Sequence, residues 1–345
     1  MRNHEVVTAH DLLKADGTLV EPGWSRSLIQ NYNRQNIKAP KFLIKEWDYY
    51  LVLADDYAVA FTISDDGYIG LQSVSLLNFK EGWEHTETVL CPFPMGKYKL
   101  PRSSESGNTV FHKKGKMDIE FTVTEGKRRI VCEVQDFMHD KSGRVFKCDI
   151  TLEQPPMESM VIATPWESDP TRFYYNQKIN CMRASGKATF DGVDYVFEPD
   201  KHFGTLDWGR GVWTYDNTWY WGSANAVING KPFGFNLGYG FSDRSSASEN
   251  VLFYDGKVHK LDDVSFNIPN GDDYMKPWTF TSSDGRFEAD FTPVLDRAAK
   301  IDVKFILTDQ HQVFGRMNGK AILDDGTVLE MKDIMCFAEK VHMKY

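Results

Sequence analysis

A chain of 345 residues exceeds what one hydrophobic core usually supports, so one large or two medium domains are expected. With 41% hydrophobic and 26% charged residues the composition is that of an ordinary folded protein, and 14% aromatic residues lean towards β structure or an aromatic-lined cavity. A net charge of −9 without a long basic run argues against nucleic acid as the main partner, and no apolar stretch approaches the length of a membrane span.

The opening segment MRNHEVVTAHDLLKADG has no apolar signal core, which points to a cytoplasmic protein. Helical amphipathicity is confined to residues 4–13 and 23–36, so few short helices are expected. Alternation with a period of two then takes over, in 48–63 (DYYLVLADDYAVAFTI), 118–123 (DIEFTV), 129–134 (RIVCEV), 146–152 (FKCDITL) and 301–307 (IDVKFIL). Tight-turn dipeptides punctuate these runs: Asp66-Gly67, Asp191-Gly192, Asn229-Gly230, Asp255-Gly256, Asp284-Gly285 and Asp325-Gly326. Segment 153–176, rich in proline, reads as a crossing between two halves, after which strands resume to the C-terminus. The fold expected is all-β, with two consecutive antiparallel β-barrels over residues 1–178 and 179–345. Closed barrels leave no open edges, and at about eight strands they can enclose one small ligand.

The five cysteines are scattered without a CxxC, and the nine histidines without HExxH or an HxH pair, so no metal site is expected. Neither GxGxxG after a strand nor GxxxxGK[ST] occurs, so no nucleotide cofactor is expected.

Four of the nine tryptophans (Trp208, Trp213, Trp219, Trp221) fall within fourteen residues, beside Asp207 and Arg210 set among Gly204, Gly209 and Gly211. Aromatics, glycines and isolated charges together describe an apolar concavity with a few fixed polar groups. In an extended strand Asp207 shares its face with Gly209 and Gly211, and Trp208 and Arg210 share the other. A carboxyl facing tryptophans and away from water stays protonated more readily, the condition for a general acid. The competing reading is a buried aspartate that caps a turn or pairs with an arginine. In 233–241 (FGFNLGYGF) one face carries three glycines and Asn236, which suits either ligand space or close approach of another element. Trp219 and Trp221 share a face, with Tyr220 on the other; they are core or cavity wall. His202, Asn225 and Tyr239 are further binding candidates, and Glu249 is a second carboxylate that keeps a glycosidase-type pair with Asp207 open.

The strings KEWDYYLVL, HFGTLDWGRG, NTWYWGSA, FGFNLGYGF, SENVLFYDGK, PWTFTSSDGRFEADFTPVLDRAA, DQHQVFG and CFAEKV resemble a widespread bacterial family described as a domain of unknown function. More distantly, Leu206-Asp207-Trp208-Gly209 is similar to the Asp-His-x-Trp-Gly motif of the AttH and carotenoid 1,2-hydratase group, with Trp208 in place of the histidine and a shorter spacing to the glycine. That resemblance implies two lipocalin-like barrels and cofactor-free chemistry on an apolar ligand, with Asp207 as the acid. The leading expectation is therefore a hydratase, isomerase or cyclase without cofactor, acting on a small apolar or amphipathic molecule. Asp207, Arg210 and Glu249 would be its catalytic groups, and His202, Trp208, Trp219, Tyr220, Trp221, Asn225, Asn236 and Tyr239 would bind the substrate. A lipocalin-like carrier of lipids or isoprenoids and a carbohydrate-processing enzyme are the alternatives, and the oligomeric state stays open.

Overall fold

The structure, a computed structural model, describes residues 2–138, 143–269, 273–304 and 306–344. Alternation along the strands sets their two faces: in Met117–Thr124 and Phe146–Glu153 buried and exposed residues alternate along most of the strand. Three of the turn dipeptides (Asp191-Gly192, Asn229-Gly230 and Asp255-Gly256) have positive φ at both residues, as a type I′ hairpin demands.

The strands form two large sheets, thirteen-stranded and nine-stranded, whose neighbouring strands all pair antiparallel. The first has a ten-strand path from Trp83–Pro92 through Ile69–Asn78, Tyr57–Asp65 and Ile44–Leu53 to Phe203–Val212. It continues through Asp169–Phe190, Phe146–Glu153, Lys127–Val134 and Met117–Thr124 to Gly107–Lys113. The second runs from Lys257–Lys260 through Val251–Tyr254, Lys231–Tyr239, Asp216–Ile228 and Val328–Lys344 to Ile306–Ile322, Phe287–Val303, Trp278–Ser282 and Val264–Asn267.

Each sheet curls around its own apolar core. Phe61, Phe121, Phe146, Tyr175 and Trp208 lie in the first core, and Phe235, Trp278, Phe287 and Phe291 in the second. Two further clusters fill the space between the sheets: one around Trp166, Tyr174, Phe203 and Trp213, the other around Tyr49, Phe79, Trp221 and Phe337. Trp47 and Trp219 pack against both of these.

Two expectations are corrected. Residues 4–13 and 23–36 are not helical. Gly23–Ser25 pairs with Met160–Trp166, His10–Asp11 pairs in parallel with Gln30–Asn31, and only the 3-10 turn Arg34–Asn36 remains. The isolated bridge Glu5↔Trp24 supplies a backbone partner that a helix would have had to supply internally. The change of sheet falls between Val212 and Asp216 instead of at 178/179. The proline-rich segment is not a crossing, because it contains Met160–Trp166 and the start of Asp169–Phe190, both in the first sheet. No helix among the described residues is long and apolar enough to cross a membrane.

A bulge in the long strand Asp169–Phe190 ties the sheets together. The register against Phe203–Val212 shifts between Ile179 and Met182, and Cys181 has φ 61°. The bulge turns Asn180 outwards, where its Nδ2 donates to Ser223 Oγ (2.8 Å) and to the carbonyls of Ala224 (3.1 Å) and Phe235 (3.2 Å). The freed Cys181 N–H donates to Asn225 Oδ1 at 2.7 Å.

Gly209 sets how closely the indole of Trp47 lies on the first sheet: a Cβ there would sit 2.0 Å from Trp47 Cζ2. Gly209→Ala is therefore expected to lower stability by about 1–3 kcal/mol through overpacking, read as a lower urea midpoint at unchanged slope. An unchanged midpoint would show that Trp47 can move aside.

Candidate functional site

Strand register alone builds the candidate site. Across five neighbouring strands of the first sheet, pairing places Ser73, Thr62, Tyr49, Asp207 and Lys178 side by side on one face. In the second sheet Arg297, Gln312, Glu339 and Trp221 form a matching row. All nine line a cavity of about 230 Å³ between the sheets. The next position in the second row is Gly238, and its missing side chain makes room for Glu249, whose Cδ lies 2.7 Å from where a Cβ would be. At the apolar end Trp213 stacks on Phe241 with ring centroids 4.8 Å apart and meets Trp47 (5.7 Å), Tyr174 (5.6 Å) and Trp219 (5.6 Å) edge to face.

Four carboxyls, Asp66, Asp207, Glu249 and Glu339, and two cations, Lys178 and Arg297, line the cavity. Lys178 and Asp207 are direct cross-strand partners, with Nζ 2.8 Å from Oδ2. Asn176 Nδ2 donates to the other carboxylate oxygen at 2.5 Å, and the Lys178 ammonium lies 4.1 Å over the Trp221 ring. Glu339 accepts from Trp219 Nε1 and from Gln312 Nε2, each at 3.0 Å. Burial outweighs these donors and the nearby Arg297 and Lys178 charges, and raises the Glu339 carboxyl to about 7. Burial also raises Glu249, with Lys178 opposing and Asp207 reinforcing the shift. The backbone around Glu249 is fixed by Asn236 Nδ2 to its carbonyl (2.9 Å) and by Lys260 Nζ to the carbonyls of Ser248 (2.5 Å) and Asn250 (2.9 Å).

The structure brings Asp207, Glu249, Trp219, Tyr220 and Trp221 to the cavity. Asn236 sits one layer behind, accepting from Trp221 Nε1 at 2.7 Å, and Tyr239 stacks on Tyr220 while its hydroxyl accepts from the Phe266 N–H. Trp208 and Arg210 point the other way, into the first core. There Arg210 is fully buried against Asp48 (3.0 Å) and the carbonyls of Trp47 (2.8 Å) and Pro101 (2.9 Å). His202 and Asn225 line a separate groove beside residues 332–335, where Asn225 serves the bulge. Sequence reasoning missed Trp47, Tyr49, Lys178, Arg297, Gln312 and Glu339 as lining residues, and named Trp213 in its tryptophan cluster without placing it in the binding set. Except for Lys178 and Trp213, each lies in a string that carries the family resemblance.

The chain belongs to the family described as Domain of unknown function (DUF2804), which matches residues 3–345. Among curated proteins none matches the sequence. Solved structures share its fold across nearly the whole chain. A protein assigned as AttH from Nitrosomonas europaea is 14% identical with a TM-score of 0.52, covering 90% of this chain and 96% of that one. Kievitone hydratase from Nectria haematococca is 10% identical with a TM-score of 0.52, covering 97% and 98%. CghA bound to Sch210972 is 13% identical with a TM-score of 0.50, covering 98% and 97%. These likenesses identify the architecture as the double lipocalin-like fold.

The ion pair at the centre of the first row makes a direct stability prediction. Lys178→Met leaves Asp207 buried without its cation and is expected to cost about 3–5 kcal/mol in urea unfolding. Adding Asp207→Asn should recover much of that loss. A double variant no more stable than Lys178→Met alone would show that the two side chains are not coupled.

Proposed function

We propose that this protein is a cofactor-independent hydratase, isomerase or cyclase that protonates an apolar small molecule in the cavity between its sheets. The carrying observation is Glu339: a buried carboxyl raised to about 7, opening on a cavity walled by aromatic rings. A carboxyl poised near neutral pH is matched to general-acid work. Transfer of its proton to a ligand double bond leaves a carbocation on the ligand and a carboxylate on Glu339. The faces of Trp219 and Trp221 attract the cation, and the Asp207 carboxylate adds a fixed counter-charge. Capture by water followed by proton loss completes a hydration. Loss of a neighbouring proton completes an isomerisation, and attack by a second double bond closes a ring and moves the cation to a new carbon, from which proton loss completes a cyclisation. Each route returns a proton to Glu339. In this reading Asp207, held by Lys178 and Asn176, stabilises charge, and Glu339 takes the donor role expected of Asp207 from sequence. The same fold in kievitone hydratase supports the reading by analogy of fold alone.

The test works whichever apolar molecule binds. Protein incubated with a bacterial lipid extract in heavy water should retain apolar species, some of them carrying new deuterium by mass spectrometry. Glu339→Gln should retain the same species and incorporate deuterium about 10²–10⁴ times more slowly. Retained but unaltered species with the natural chain would indicate a carrier, and undiminished incorporation by the variant would remove Glu339 from the chemistry.

The pH dependence has a definite sign. Glu339 is raised from 4.5 to about 7, so its acid form is lost as pH rises through about 7, and turnover should fall with it. The folded state holds a proton that the unfolded chain releases earlier. The resulting stability is complete below the unfolded value and lost as pH rises through the folded one. Arg297, Lys178, Asp207 and Glu249 face the group and set its surroundings. Glu339→Gln mimics the neutral form, and is expected to melt at a higher temperature than the natural chain above pH about 8 and to show a flatter pH profile from about 5 to 8. Equal melting temperatures at the alkaline end would place the Glu339 carboxylate in a solvated setting.

A further inference from the structure

We infer that the cavity takes a ligand bearing a carboxylate, and that Arg297 is the residue that anchors it. This rests on the reading of the cavity as an apolar small-molecule site and narrows the class to amphipathic carboxylic acids. Arg297 heads the second-sheet row on Phe287–Val303 and lines the cavity. Its Nη1 is closed off from solvent and has no hydrogen-bond partner, although the guanidinium also meets the Tyr49 hydroxyl and lies near the Glu84 carboxyl; Arg297 takes part in none of the ion pairs among the described residues. The other cations near the site are engaged: Lys178 by Asp207, Arg210 by Asp48, and Lys260 by backbone carbonyls. A buried guanidinium N–H without an acceptor is costly, and native structures keep such a group where a ligand or solvent molecule completes it.

The surroundings select the acceptor. Glu339, the nearest carboxyl in the row, already accepts from Trp219 and Gln312. A planar guanidinium fork matches the two oxygens of a carboxylate better than it matches a hydroxyl. Beyond this polar end the cavity is walled by Trp47, Tyr174, Trp213, Trp219 and Phe241, which suits a flat or unsaturated apolar body.

Retinoic acid and retinol have the same apolar body and differ at one end, and the wall tryptophans report binding through quenching of their fluorescence. The natural chain is expected to bind retinoic acid at least about tenfold more tightly than retinol, the discrimination of one charge-assisted contact. Arg297→Gln should bring that ratio to about one while leaving retinol affinity unchanged, which also shows that the variant is folded. Arg297→Lys, which keeps the charge but loses the fork, should retain part of the preference. It decides the question if the glutamine variant does not fold. Retinol binding as tightly as retinoic acid to the natural chain, or a preference that survives in Arg297→Gln, would overturn the carboxylate inference and leave the general-acid reading standing. Failure of both ligands to quench the tryptophans would overturn both.

Discussion

The strand Phe203–Val212 is buried at every one of its ten positions, and this constraint organises the molecule around it. It has Ile44–Leu53 on one side and Asp169–Phe190 on the other, with the first core against one face and the second sheet against the opposite face. Polar side chains on such a strand depend on partners inside the protein, and most of their polar atoms find them, Trp208 Nε1 and Arg210 Nε excepted. On the core side Arg210 does so with Asp48 and three carbonyls; on the outer side Asp207 does so with Lys178 and Asn176, and Thr205 with Asn225. The two faces therefore carry two separate polar clusters, and only the outer one opens on free volume.

That volume follows from the shape of the two sheets. Curled sheets placed against each other touch over limited areas, and here the contact is filled by two apolar clusters bridged by Trp47 and Trp219. Between them the rows led by Ser73 and Arg297 face one another without closing. Small residues fix the separation: Gly209 lets Trp47 lie flat, and Gly238 admits the Glu249 carboxyl. The glycine-rich face of 233–241 is thus occupied by close-packed neighbours, with Cys181 Sγ 3.0 Å from a Cβ at Gly234 and Glu249 against Gly238.

Much of the fold was legible because its signals are local. Period-two alternation in 118–123 and 146–152 and the Asp-Gly and Asn-Gly turns depend on a few consecutive residues, and they marked strands and hairpins correctly. The alternation also separated Asp207 from Arg210 onto opposite faces. The early segments misled because residues 4–13 and 23–36 have apolar spacing close to that of a helix, while their backbone partners come from distant strands and bridges. The polar end of the cavity was hidden for a similar reason. Lys178, Glu339, Gln312 and Arg297 are unremarkable within their own strands, and they become neighbours of Asp207 and Trp221 only through register across several antiparallel pairs. The tryptophan cluster revealed itself by composition; the groups that give it chemistry did not.

The contrast between Asp207 and Glu339 shows how position within one interface gives like residues different electrostatic settings. Both are nearly inaccessible, at 8% and 5% exposure, and both line the same cavity. Asp207 has an ammonium directly across the strand pair, at the distance of a strong charge-assisted contact, together with an amide donor. Glu339 has two neutral donors and feels Arg297 and Lys178 only at longer range, so burial dominates and its proton is held to near neutral pH. An ion-paired carboxylate and a carboxyl whose charged form burial disfavours thus stand on facing sheets, with Trp221, which pairs with Glu339 in register and lies beneath the Lys178 ammonium, between them. In the proposed general-acid reaction the Asp207 carboxylate would add its charge to that of the Glu339 carboxylate left after proton transfer, so that the two together would steady the cation.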